Sequence, residues 1–145
     1  MTSAERENVR HQLILHEGLK LSAYQDHLGF WTIGVGRLID DRKGGRISRL
    51  EAMLLLDNDI NSHLHDLATF QWFSSLNAVR TKALLDMHFQ LGVGGFRGFR
   101  EMFSALDRRD YATAAAAGRD SKWAHEDTPE RAQTVMRQLE TGAEA

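Results

Sequence analysis

Residues 16–37 read HEGLKLSAYQDHLGFWTIGVGR, and the change of pattern inside them decides the fold. Up to Glu17 the chain reads as helix. Thr2 and Glu5 form a capping box, Val9, Leu13 and His16/Glu17 share one helical face, and Gly18 supplies a stop. The spacing predicts a helix from about residue 3 to residue 17. From Leu21 to Val35 aromatic and β-branched residues take over, with Asp26-His27-Leu28-Gly29 as turn chemistry between two short runs, which is the pattern of a hairpin. In the second run Trp31, Ile33 and Val35 alternate with Phe30, Thr32 and Gly34, so Thr32 should face away from the bulky set.

Working outward, Asp40 to Arg46 is polar and contains glycine, a loop or irregular third strand. Ser48 with Glu51 makes a second capping box, and Leu50, Met53, Leu54, Asp57, Ile60, Leu64 and Leu67 mark a mainly apolar stripe to about residue 69. A helix of ~20 residues is ~30 Å long and can bridge two lobes. Further helices are expected at about 75–91, 96–106, 110–117 and 129–139, broken by Gly92–Gly95, by Asp107–Arg109 and around His125-Glu126-Asp127. Pro129, the only proline, follows Thr128 as cap and suits a first helical position. The expected class is α+β and mostly helical, one domain over 1–145. It comprises a small β lobe at 18–47, a connecting helix at 48–69, a helical lobe built from 2–17 and 70–145, and a cleft between the lobes.

Composition narrows the function. The 145 residues, 42% of them hydrophobic, suffice for one domain with a core, and the absence of cysteine removes disulfides, cysteine zinc sites and thiol nucleophiles. A net charge of −2 gives no basic field for nucleic acid. The start, MTSAERENVRHQ, lacks the apolar stretch of a signal peptide, and no segment approaches the ~20 apolar residues of a membrane span. Synthesis in the cytoplasm without a signal peptide is expected, with any export dependent on another factor.

Chemistry must come from oxygen groups. Glu17 sits at a helix C-terminus, where the negative end of the dipole disfavours a bare carboxylate and favours an acid that keeps its proton. Asp26, in a hairpin turn, is more solvated and should be ionised. Two carboxyls in unlike environments are what glycoside hydrolysis uses, one to protonate the leaving oxygen and one to support the cationic centre or a water. Thr32 on the far strand could hold that water. On spacing alone, a surface glutamate before a cap glycine and an ordinary turn aspartate explain the same residues.

The stretch HEGLKLSAYQDHLGFWTIGVGRLID (16–40), continued in MHFQLGVGGFRGF (87–99) and SKWAHEDTPERA (121–132), resembles the phage-type lysozymes, glycoside hydrolase family 24. The first segment matches without a gap: Glu-Gly, a tyrosine (Tyr24), an aspartate, an aromatic pair and Thr-Ile-Gly-x-Gly. The resemblance implies Glu17 as proton donor, Asp26 as second catalytic carboxylate and Thr32 as the residue that positions the attacking water. Leu38, Phe89 and Gln90 would line the saccharide cleft, and Arg131 would approach Glu17 from the C-terminal lobe, where its charge would compete with the effect of the helix end on that carboxyl. It implies a muramidase acting on peptidoglycan glycan strands by inversion, as a monomer, with no metal or cofactor. Such an enzyme would reach periplasmic peptidoglycan through a holin lesion or on the virion. Inversion needs carboxyls ~6.5–9.5 Å apart, retention ~5–5.5 Å, and a helix end facing a hairpin turn is compatible with the wider gap. The alternatives are a lytic transglycosylase on the same bond and a non-catalytic wall-binding module of a phage tail. Intact Glu17, Asp26 and Thr32 argue against both.

Departures from the family also carry expectations. Arg37 stands where the family commonly has histidine, and Asp59 holds the place of that histidine's acidic partner in T-even members, so an Arg37–Asp59 ion pair is expected, titrating only through its carboxylate at acid pH. The connection at 40–47 is short, which reduces the lower jaw of the cleft, and the residues near 117 are alanines where the family can offer an asparagine. The resemblance is weakest over 40–47 and 107–120. His63 and His65 point apart on a helix, a poor metal pair, and are expected to be solvated or capping. Gly92–Gly95 reads as a helix connection and not a phosphate loop. Trp31, Trp72 and Trp123 are expected in the core, and Arg97, Arg100, Arg108 and Arg109, interleaved with Glu101 and Asp107, on a solvated face.

Overall fold

The structure, a computed structural model, describes residues 1–39 and 46–144. Helix α1 runs from Ser3 to Glu17. Its capping box is formed: the Thr2 N–H donates to Glu5 Oε2 at 2.5 Å and the Glu5 N–H to Thr2 Oγ1 at 3.2 Å, satisfying two of the donors a helix start leaves orphaned. Strands β1 (Lys20–Gln25), β2 (Trp31–Gly34) and β3 (Arg37–Leu38) follow as one antiparallel sheet in that order. The expected hairpin is therefore extended by a third strand. That strand comes directly after Gly36 and ahead of the polar run in which an irregular strand was anticipated; residues 40–45 of that run lie outside the described residues.

Helix α2 covers Arg49–Leu67, and its start is the second capping box, with the Ser48 N–H and hydroxyl both 2.8 Å from Glu51 Oε2 and the Glu51 N–H 3.2 Å from Ser48 Oγ. After a 3₁₀ turn at Phe73–Ser75 come α3 (Ala78–Arg97), α4 (Arg100–Asp107), α5 (Tyr111–Arg119), a π turn at Trp123–Asp127 and α6 (Pro129–Thr141). The break expected at Gly92–Gly95 is narrower than anticipated. Only Gly92 leaves helical geometry, at φ 69° and ψ 173°, and helical hydrogen bonding resumes to Arg97. Glycine reaches that left-handed region without a Cβ penalty, so one residue suffices to kink the rod. Pro129 is the first residue of α6, but the Thr128 side chain makes no cap bond, because its hydroxyl is engaged with Gln90.

The chain divides into two units, Met1–Leu54 and Leu55–Ala145; α1 groups with the sheet in the first. The apolar core lies in the second unit, where α6 packs on α3 and α5, and α4 on α5. Leu67, Leu84, Met87, Phe96, Met102, Leu106, Met136 and Leu139 have no solvent exposure there. Trp72 and Trp123 belong to that core as expected, but Trp31 is exposed on β2.

The α3–α6 contact also has a polar clamp. Arg80 donates from Nε to Leu139 O at 2.9 Å and from Nη2 to Glu140 O at 3.0 Å, with its guanidinium 3.7 Å from the centre of the Tyr111 ring. A cation on the open carbonyls of a helix C-terminus meets both the unpaired acceptors and the negative end of the dipole.

Candidate active site

In the first unit an open hollow of ≈ 510 Å³ has Glu17, Tyr24, Asp26, Thr32, Gly36 and Leu38 among its lining residues. Five of these were singled out from sequence, and local rules account for their meeting. Glu17 is the last residue of α1, and Gly18, at φ 77°, ends the helix with its N–H on Ile14 O at 2.9 Å. Residues directly opposite on neighbouring antiparallel strands present side chains to one face. Thr32 pairs with Tyr24 on one side and Leu38 on the other, so Tyr24, Thr32 and Leu38 form a row across the sheet.

Asp26 fixes the hairpin turn and is fixed by it. Its Oδ1 accepts the N–H groups of Leu28 and Phe30, both at 2.9 Å, while its own N–H donates to Phe30 O at 2.9 Å. The Phe30 N–H is the chief reason the Asp26 carboxyl is held below its ordinary value; partial burial opposes it, and the Leu28 N–H and nearby His27 add to it. This carboxylate is therefore ionised at neutral pH. Both donors converge on Oδ1. Thr32 is buried, and its hydroxyl donates to Phe30 O at 3.2 Å, which directs the lone pairs of Oγ1 elsewhere. Glu17 is exposed, and its carboxylate lies over the backbone of Gly36, a residue at φ 60°.

The remaining expected site residues take different positions. Arg37 forms its ion pair with Glu51 and not with Asp59. Glu51 is available because its place at the start of α2 turns its carboxylate toward Ser48; the Ser48 N–H and then the Ser48 hydroxyl hold that carboxyl below its ordinary value, with Arg37 adding to them against partial burial. Asp59 stands exposed on α2. In the second unit Phe89, 40% exposed, and Arg131 line a smaller hollow of ≈ 250 Å³ with Leu56, Ile60 and Leu85. Arg131 donates from Nε to Asp86 Oδ1 at 2.7 Å. Gln90 is a brace: its carbonyl accepts the Trp123 indole N–H and its amide donates to the Thr128 hydroxyl, each at 3.0 Å.

Similarity to known proteins bears on what this arrangement belongs to. A family model described as "Phage lysozyme" matches residues 15–140. The chain belongs to the phage lysozyme family. With the family comes the enzyme class, a glycoside hydrolase. Among curated relatives, the "Probable T4-type lysozyme 1" of Dictyostelium discoideum is 26% identical over 93% of this chain and 95% of its own length. The "Pre-baseplate central spike protein Gp5" of Enterobacteria phage T4 is 32% identical over 87% of this chain, which spans only 26% of that protein. The "Peptidoglycan hydrolase gp36" of Pseudomonas phage phiKMV is 26% identical over 91% of this chain and 15% of its own length.

This lysozyme-family chain also contains a polar network that its sequence did not disclose. His63 Nδ1 lies 2.6 Å from Nδ1 of His88, whose Nε2 lies 2.7 Å from Asp66 Oδ2, and Arg97 Nη2 donates to Asp66 Oδ1 at 2.6 Å. His88 is fully buried, and His63 is half-buried against the Phe89 ring at 4.9 Å between centroids. His63 is thus neither solvated nor a cap, a correction to the sequence reading whose cause is a partner twenty-five residues away. Burial works to raise the Asp66 carboxyl, but the bonds from Arg97 and His88 outweigh it, and the group is held below its ordinary value. Among the described residues no group of three or more His, Cys, Asp or Glu side chains is gathered for a metal. Two further contributors were also missed, Gly36 beneath Glu17 and Glu51 beside Arg37. The only signals for them were the spacing of Thr-Ile-Gly-x-Gly and the capping box.

Proposed function

We propose that the chain is a peptidoglycan hydrolase, an N-acetylmuramidase that cleaves the β-1,4 bond from N-acetylmuramic acid to N-acetylglucosamine. The observation that carries this reading is the single hollow lined by Glu17, Asp26 and Thr32. Glu17 delivers its proton to the glycosidic oxygen as that bond breaks. Asp26, ionised and anchored through Oδ1, keeps Oδ2 for the attacking water and faces the positive charge that develops at the anomeric carbon. Thr32, whose hydroxyl proton is committed to Phe30 O, accepts a hydrogen bond from that water and aims it. The water's proton passes to Asp26, and its oxygen becomes the new anomeric hydroxyl with inverted configuration. Tyr24 walls the site beside Thr32, while Leu38 and Phe89 contact saccharide rings.

Gln90 supports that surface through its brace on Trp123 and Thr128, and Arg131 and the Arg37–Glu51 pair are supporting residues. No cofactor enters the reaction. The protein works as a monomer on periplasmic peptidoglycan, delivered by a holin lesion or by the virion. Lysis of permeabilised Gram-negative cells tests the acid role. Glu17→Gln should abolish it, and a variant that keeps more than a few per cent of lysis removes Glu17 from the mechanism.

A further inference from the structure

We propose that Gly36 is a positioning residue for Glu17, holding the proton-donating carboxyl in place by having no side chain. This rests on the reading of Glu17 as the acid. An ideal Cβ built on Gly36 would lie 2.6 Å from Glu17 Oε2, 3.0 Å from its Cδ and 3.1 Å from its Cβ. The carboxyl therefore rests on bare backbone at the turn between β2 and β3. It occupies the space that any L side chain at position 36 would fill. Gly36 also sits at φ 60°, so the turn that brings its backbone under Glu17 is one that glycine adopts without strain.

The same turn region contains a natural control. Gly34 has nearly the same constraint, φ 69°, but a Cβ there would meet nothing within 4 Å. An alanine at either position meets the cost of a left-handed residue. Only the alanine at 36 also meets the carboxyl. The closest colliding atom, Oε2 at 2.6 Å, with Cδ behind it at 3.0 Å, belongs to the carboxyl of a flexible, exposed side chain, and the Cβ contact at 3.1 Å asks only a few tenths of an ångström, so the collision is relieved mainly by moving the Glu17 carboxyl and not by unfolding the sheet. Displacing a proton donor by about 1 Å can reduce turnover about 100-fold. Gly36 thus governs where the proton is delivered and adds little to stability beyond what Gly34 adds.

The experiment compares Gly36→Ala, Gly34→Ala and Glu17→Gln in the whole chain, by steady-state kinetics on soluble glycan fragments and by thermal melting. Gly36→Ala should lose about 100-fold in kcat with KM little changed, and should melt within a few degrees of Gly34→Ala, which should keep most of its turnover. Equal kcat for the two alanine variants would overturn the proposal. So would a Gly36→Ala chain that fails to fold where Gly34→Ala folds, since the backbone and not the carboxyl would then be what yields. A fully active Glu17→Gln would instead remove the acid assignment. An inactive Glu17→Gln beside an active Gly36→Ala would remove the Gly36 role alone.

Discussion

At the scale of single residues, the proposed active site brings together two carboxyls with opposite surroundings. Asp26 is bound by two backbone N–H groups at one oxygen, whereas Glu17 lies exposed over a glycine. Folding lowers the pKa of Asp26, so its ionised form favours the folded state at pH above its ordinary value of 3.8, and that contribution is lost as pH falls through the lower folded value. Asp26→Asn keeps an oxygen acceptor for both N–H groups but has no charge. Its melting temperature should lie below that of the unaltered chain at neutral pH, and the gap should close as the solution is acidified past the ordinary carboxylate range. A gap that stays constant through acid pH would contradict the backbone-held carboxylate. If Asp26 is the base proposed above, the same substitution should abolish lysis at every pH, because the amide cannot take the proton of the water.

At the scale of elements, the helix ends carry much of the organisation. Thr2 with Glu5 and Ser48 with Glu51 fix the starts of α1 and α2, and Arg80 closes the end of α6 by donating to Leu139 O and Glu140 O. Arg80→Ala should lower unfolding stability by about 2–3 kcal/mol, the loss of two charge-assisted hydrogen bonds and a cation–π contact. Denaturant titration checks this. A shift of midpoint no larger than that of an exposed arginine such as Arg108→Ala would show the clamp to be idle.

The elements also show what a sequence makes legible. Both capping boxes, the Glu17 helix end, the Asp26 turn and the Thr32 strand position are determined by residues within a few places of each other, and each is readable from local spacing. Gly92 was readable as a break but not as a single-residue kink, because the neighbouring turns decide how far the helix recovers. Arg37 illustrates the limit. Its partner depends on where the start of α2 lies against β3, so the family position of Asp59 points to the wrong carboxylate, and Glu51, recognised as a cap, accepts from Arg37 as well as from the Ser48 N–H and hydroxyl. His63 and His88, or Arg80 and Leu139, are joined only by tertiary packing, and no local pattern encodes them.

At the scale of the whole molecule, burial is uneven. The apolar core lies in Leu55–Ala145, whereas in Met1–Leu54 Thr32 is the only buried residue among those described. Local opening is easiest where few apolar contacts are buried. Native-state hydrogen exchange should therefore protect the amides of Leu84, Met87, Met136 and Leu139 most strongly and those of β1 and β2 less. Equal protection in the two units would contradict this distribution. Placing the proposed active site in the unit with less burial also accords with the general tendency of functional segments to come from the less stable part of a fold.

The central claim, that Glu17, Asp26 and Thr32 hydrolyse peptidoglycan with water as nucleophile, is tested most directly by digesting purified sacculi in ¹⁸O-labelled water and weighing the released muropeptides. Reducing N-acetylmuramic acid ends carrying one ¹⁸O, absent when Glu17→Gln replaces the unaltered chain, are the predicted products. Anhydro-muramic ends without the label, or labelled ends released equally by Glu17→Gln, would contradict it.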